Sequence, residues 1–402
     1  MRVLDTDPAA FTAKATAGGD APRVVVKVGS SLLAKTPELR PRYAFMHGLL
    51  SDIAELRQRG YEVVLASSGS VALGLSLLHS DSESAGVQEK QAAAACGQPI
   101  LLNAYKQVAL ECGFDIAQVL VTLEDMEESR RFLNTKNTIH KLLDLGVLPI
   151  VNENDSVTTE EIRVGDNDRL AARVAQMIQA EHLVILTSVD GLYDRNPDEA
   201  GAQLIPELED VSGYLDVTTA TSALGSGGMY TKMQAANMAQ NAGCETIISR
   251  GVIDHPITAA LNGSRPRTRC IAKSTPQSAW NVWLTDRLQM AGSLVLSQRG
   301  VEALEKGDQG ISCHDVVSVH QEFPKAAVLH IYDEDGNERA RGLSNFSSEE
   351  ATLVARNPDA ESVQLLGYKA EPILVNRKNL VILEDHHLPW EEPSEEPRVI
   401  AA

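Results

Sequence analysis

The chain has 402 residues, 43% hydrophobic and 23% charged, which is the profile of a soluble globular protein with room for two or three domains. A formal net charge of −19 opposes any general attraction to nucleic acid or to an anionic membrane surface. No apolar run approaches the roughly 18 residues that cross a bilayer, and the opening MRVLDTDPAAFTAKATAGGD has no apolar signal core, so no membrane partner and a cytoplasmic location are expected.

Residues 1–22 lack a clear period and are expected to form a mobile extension. The apolar run Val24–Val28 then reads as a strand ending in Gly29-Ser30-Ser31. Met46, Leu49, Leu50, Ile53 and Leu56 recur at helical spacing up to Gly60. Val63–Ala66 reads as a strand running into Ser67-Ser68-Gly69-Ser70. Residues 88–112 read as a helix that Pro99 should kink or divide. The alternation continues with strands at Asp115–Val121, Val147–Val151, Leu183–Thr187 and Thr246–Ser249, and helices at Ser129–Leu145, Asp168–Ala180 and Thr231–Ala242. Apolar strands alternating with helices predict a mostly parallel sheet sandwiched by helices, in one α/β domain over 23–262.

Gly263-Ser264-Arg265-Pro266-Arg267 and Ser274-Thr275-Pro276 predict a linker over 263–290. Beyond it the segments shorten, as in Val316–Val319, Ala327–Tyr332 and Ile373–Val375, and Asp335-Gly336 is a hairpin signal. A small β-rich domain over 291–385 is expected, followed by an acidic, solvated tail over 386–402. The five cysteines, Cys96, Cys112, Cys244, Cys270 and Cys313, are too scattered for a zinc pair and fit reduced thiols.

Ligands of an open α/β sheet bind beyond the carboxyl ends of its strands, and the polar stretches fall there. Lys27 interrupts an apolar strand, where an ammonium group is costly to bury unless it meets an anion; a strand-end lysine reaching solvent is the plain alternative. Ser67–Ser70 suits a carboxylate or phosphate, but also an ordinary turn capped by serine. Asn152-Glu153-Asn154-Asp155 and Gly165-Asp166-Asn167-Asp168 form the densest polar cluster, more than helix-start acids alone account for. Gly225–Lys232 reads as a flexible loop entering a helix N-terminus, a natural phosphate site. No Walker A pattern is present.

In one continuous order, VVVKVGSSLL, SSGSVALG, RRFLNTKNTI, PIVNENDSV, VGDNDRLAA, LTSVDGLYDRNP and GSGGMYTKMQAA resemble the amino acid kinase family, in its glutamate-phosphorylating branch. The C-terminal part, ending in LLGYKAEPILVNRKNLVIL, is similar to a PUA domain. The resemblance implies transfer of the ATP γ-phosphoryl, with Mg²⁺, to the γ-carboxylate of L-glutamate, as the first step of proline biosynthesis. It implies that Ser68, Asp155 and Asn167 bind glutamate. It places the nucleotide near Lys27, Thr187, Ser188 and the run Ser226, Gly227, Gly228, Met229, Tyr230, Thr231 and Lys232. Lys27 and Lys232 would stabilise the transferring phosphoryl group, and Asp168 would align them. No protein ligand set for the metal is implied. Ser188 stands where relatives often have aspartate.

The resemblance further implies a dimer or tetramer, feedback by proline, and a separate glutamyl phosphate reductase as the consumer of the product. The competing enzyme reading is a kinase of the same fold acting on N-acetylglutamate or aspartate. A different class, RNA binding through the PUA-like domain, is disfavoured because residues 291–370 carry seven Lys and Arg against thirteen Asp and Glu.

Overall fold

The computed structural model describes residues 21–35, 40–80, 84–158, 166–215, 228–285, 290–306, 310–357, 360–383 and 398–399. The expected N-terminal extension, apart from residues 21 and 22, and the acidic tail, apart from Arg398–Val399, lie outside them. The chain forms two compact units, one of Met1–Glu128 with Asn134–Ala279 and one of Ser129–Leu133 with Trp280–Ala402.

The first unit is built on an eight-stranded sheet. Its strands are β1 (Arg23–Val28), β2 (Glu62–Ser67), β3 (Ile116–Val121), β4 (Leu148–Glu153), β5 (His182–Thr187), β6 (Glu207–Leu208), β7 (Glu245–Arg250) and β8 (Arg267–Cys270). Their order is β3-β4-β2-β1-β5-β7-β8-β6. All neighbours are parallel except β7 and β8. The helices of seven or more residues described before residue 290 are α1 (Tyr43–Gln58), α2 (Ser70–Leu78), α3 (Val87–Glu111), α4 (Ser129–Asp144), α5 (Asp166–Met177), α6 (Met229–Asn241), α7 (Pro256–Asn262) and α8 (Pro276–Thr285), of which α4 and α8 are divided between the two units.

Strand β1 is buried along its whole length, as a central parallel strand must be. Side chains alternate between faces, so Val24, Val26 and Val28 join a core with Met46, Leu49 and Ile53 of α1, Leu101 and Tyr105 of α3 and Ile257 of α7. Lys27, between them in sequence, is turned to the opposite face. Helix α5 packs against β1, β4, β5 and α6. This alternation places a lysine deep in the sheet next to the helix that carries Asp168.

Two expectations are corrected and one is narrowed. Of the two effects expected of Pro99, division is excluded, because α3 runs from Val87 to Glu111. The stretch expected as a linker contains β8, paired antiparallel to β7, and α8. In β8 only Thr268 and Cys270 are buried, and the intervening arginines mask so short a strand in the sequence. Within the tail, Arg398 and Val399 pair with Val319 and Ser318, because an exposed strand edge offers unpaired backbone groups to any extended segment.

The second unit holds a seven-stranded sheet around Leu294, Leu296, Val319, Leu329, Ile331, Leu374 and Val375. Strands Val328–Tyr332 and Glu338–Ser344 form the expected hairpin. Its turn is closed by Asp333, whose carboxylate accepts from the N–H groups of Asp335 at 3.1 Å and Asn337 at 2.8 Å, with Gly336 at φ 81°. No helix among the described residues is long and apolar enough to cross a membrane.

Candidate active site

Asp168 enters α5 in its first turn and is fully buried. Its two oxygens are divided between two lysines. Lys27 Nζ lies 2.5 Å from Oδ1, and Lys232 Nζ lies 3.1 Å from Oδ2. Thr231 Oγ1 donates to Oδ2 at 2.9 Å. Lys27 is only 5% exposed. Burial would push the Asp168 carboxyl up, but the Lys27 and Lys232 charges outweigh it and hold the group below the usual carboxylate range. Burial is also the main influence on Lys27, lowering it from the ordinary lysine value, with Asp168 opposing and Lys232 assisting. The arrangement therefore carries one more positive than negative charge when both lysines are protonated. An anion placed beside it recovers the stabilisation that burial removes from Lys27.

Helix α6 starts at Met229 after Gly228, so Lys232 falls in its first turn, at the positive end of the helix dipole. Met229, Tyr230 and Thr231 are half-buried and Gly228 is exposed. Ser226 and Gly227, expected to bind nucleotide, lie outside the described residues. Thr187 ends β5, the strand next to β1, and Ser188 follows it exposed.

A second polar group sits on the other side of β1. Asn167 Nδ2 donates to Asn152 Oδ1 at 3.0 Å, and its Oδ1 accepts from the N–H of Glu153 at 3.2 Å. Asn152 Nδ2 donates to Gln98 Oε1 at 2.8 Å and lies 3.4 Å from Ser70 Oγ. Ser70 Oγ lies 3.5 Å from Asp155 Oδ2. Ser68 follows the end of β2 and is half-buried, its N–H bonded to Val28 O at 3.1 Å. A cavity of about 250 Å³ opens here, lined by Ser70, Gln98, Gln118, Glu153 and Asp155 among others. That volume suits a small polar molecule.

The structure thus brings Lys27, Asp168, Thr231 and Lys232 together. It places Asn167 and Asp155 in an adjoining network, with Ser68 on the neighbouring strand end. Sequence reasoning missed Gln98 and gave Ser70 and Asn152 no individual role. Gln98 had no signal at all: it is one polar residue in a helix, next to Gly97, where α3 comes close to α2. A Cβ on Gly97 would lie 1.8 Å from Ser70 O, and one on Gly74 1.7 Å from Ala93 O.

Among the described residues no three Asp, Glu, His or Cys side chains converge to cage a metal ion, and both Asp168 oxygens are held by lysines. The described side chains therefore form no ready cage for a resident Mg²⁺.

The amino acid kinase family model matches residues 22–249, and the PUA domain model matches residues 292–366. A glutamate 5-kinase of Azoarcus sp. is 42% identical over 367 residues, covering 90% of this chain and 98% of that one. A glutamate 5-kinase of Laribacter hongkongensis is 40% identical over 369 residues, covering 90% and 98%. A glutamate 5-kinase of Bartonella henselae is 38% identical over 363 residues, covering 90% and 95%.

Proposed function

The chain belongs to the amino acid kinase family, and from that premise we infer that it is a phosphotransferase that uses ATP to phosphorylate the γ-carboxylate of L-glutamate, the first step of proline biosynthesis. The observation that carries the reading is the pair of lysine ammonium groups held on one buried carboxylate at the strand ends.

The chemical obstacle is charge, since an anionic carboxylate must approach a polyanionic phosphate. A glutamate γ-carboxylate is already ionised near pH 7, so no general base is needed. One of its oxygens forms a bond to the γ-phosphorus as the bond to the β–γ bridging oxygen breaks. The products are γ-glutamyl phosphate and ADP. Catalysis is then mainly alignment and electrostatic stabilisation. Lys27 and Lys232 contact the non-bridging oxygens of the transferring group, and Asp168 keeps both ammonium groups in place. Asp155, Asn167 and Ser68 bind the glutamate, with Asn152, Ser70 and Gln98 holding that network in register. Thr187, Ser188 and the loop entering α6 receive the nucleotide. ATP would be taken as its Mg²⁺ salt, in which the metal would offset phosphate charge.

The same reading includes a homo-oligomer, feedback by proline, and a separate reductase that consumes the labile acyl phosphate. The test is product trapping. Glutamate, MgATP and hydroxylamine should give γ-glutamyl hydroxamate, with N-acetylglutamate and aspartate giving little. Comparable trapping with either comparator, and none with glutamate, would move the substrate assignment to that acid.

A further inference from the structure

Groups along the polar edge of the large sheet fall in a definite order. The residues assigned to glutamate follow β2 and β4, and Lys27 lies on β1 at the centre. On the far side of β1 the sheet continues with β5 and then β7. A nucleotide whose terminal phosphate meets Lys27 opposite the glutamate therefore lies over the ends of β5 and β7.

Those two ends are tied together. Thr187 and Arg250, the last residues of β5 and β7, are register partners, and the N–H of Gly251 donates to Thr187 O at 2.8 Å. Past Thr187 the chain turns through Ser188 to Asp190. The Asp190 carboxylate accepts from Arg250 Nε at 2.7 Å and Nη2 at 3.2 Å, a two-point contact, and from the Tyr193 hydroxyl at 3.2 Å. The hydrogen bond from Arg250 is the main reason this carboxyl lies below the usual range. The turn is also pinned on its other flank. The N–H of Leu192 donates to Thr268 Oγ1 at 2.8 Å, and that hydroxyl donates to Ile205 O at 2.6 Å. Gly191 allows the close approach, since a Cβ there would lie 2.3 Å from Thr268 Oγ1.

We propose that Asp190 and Arg250 are positioning residues for the nucleotide, a charged brace that fixes the turn Thr187–Tyr193 against the end of β7 before ATP arrives. The proposal rests on the kinase reading given above. A turn already held in place loses less conformational freedom when it binds, so the brace strengthens nucleotide binding without touching the glutamate side.

The experiment is steady-state kinetics of Arg250→Gln and Asp190→Asn with both substrates varied. The KM for ATP should rise about three- to tenfold while the KM for glutamate and the turnover at saturating ATP stay within about twofold. Arg250→Lys, which keeps the charge but not the fork, should fall between wild type and Arg250→Gln. The double variant should be no worse than the worse single one, because the two side chains act as a unit. An unchanged KM for ATP, or an equal rise in both KM values, overturns the proposal. Where Arg250→Gln does not fold, Tyr193→Phe removes one contact of the same carboxylate and must still raise the KM for ATP selectively. Calorimetric titration with ADP separates the two levels. Weakened ADP binding in Arg250→Gln supports the brace even in a protein whose acceptor proves not to be glutamate.

Discussion

Lys27, one residue from the end of β1, and Lys232, in the first turn of α6, hold opposite oxygens of the Asp168 carboxylate. Neither lysine's neighbours in sequence supply that anion. In the proposed reading both ammonium groups face the transferring phosphoryl group of a bound nucleotide. Lys27→Ala and Lys232→Ala should each lower turnover by roughly 10²–10³ at saturating substrates, the usual loss for one charge-stabilising contact. Near-native turnover in both would remove the assigned roles.

On the glutamate side, Asp155 joins the network of Ser70, Asn152 and Asn167. In the proposed reading this carboxylate is the partner of the substrate's α-ammonium group. Asp155→Ala should raise the KM for glutamate by about tenfold or more and that for ATP by less than about twofold, a loss on the order of 1.4 kcal/mol in substrate binding. Gln98→Leu should act in the same direction but less strongly, through Asn152. Equal changes in both KM values would point to a general loosening of the fold instead.

The crossing of α2 and α3 makes a prediction about stability. Any side chain at Gly74 or Gly97 meets backbone rather than a movable side chain. Gly74→Ala and Gly97→Ala should each destabilise by about 1–3 kcal/mol or more, as overpacking does, read as a lower denaturant midpoint. Gly97→Ala should also raise the KM for glutamate, since it displaces Ser70 and Gln98 together. Gly113 has a positive φ but open space around it, so it serves as the contrasting position, where strain comes from the backbone alone.

Asp52 of α1 is fully buried and closes the start of α7. Its Oδ2 accepts from the N–H groups of Ile257 at 2.7 Å and Thr258 at 3.1 Å, and its Oδ1 lies 2.7 Å from His255 Nδ1. Asp52→Ala strands one buried and one part-buried backbone donor and should cost about 2–4 kcal/mol. The hydrogen bond and the charge of Asp52 raise the His255 imidazole above its ordinary value of 6.5. A raised folded-state value means the stabilisation is full below about 6.5 and is lost as pH rises through the folded value. The imidazole is 61% exposed, so solvent screening keeps the effect under about 1 kcal/mol. The melting-temperature gap between wild type and His255→Gln should be widest near about pH 5.5 and close by about pH 9. A gap that widens with pH would contradict the assignment.

The α/β alternation was legible because burial of a central parallel strand demands a continuous apolar run, and VVVKV supplies one around a single lysine. The same rule failed at Arg267–Cys270, where two buried residues between arginines leave no such run. The residues Lys27, Asp168 and Lys232 could be picked out singly as polar groups at strand and helix ends, and the resemblance to a kinase family assigned their roles. Only the folded chain decided that the three meet, that Asp155 reaches Ser70, that Gln98 accepts from Asn152, and that Arg250 meets Asp190 just past Thr187. Periodicity is a property of neighbours along the chain, and sequence carries it directly. Convergence of distant strand ends depends on strand order and helix packing, which emerge only when the whole sheet closes its core.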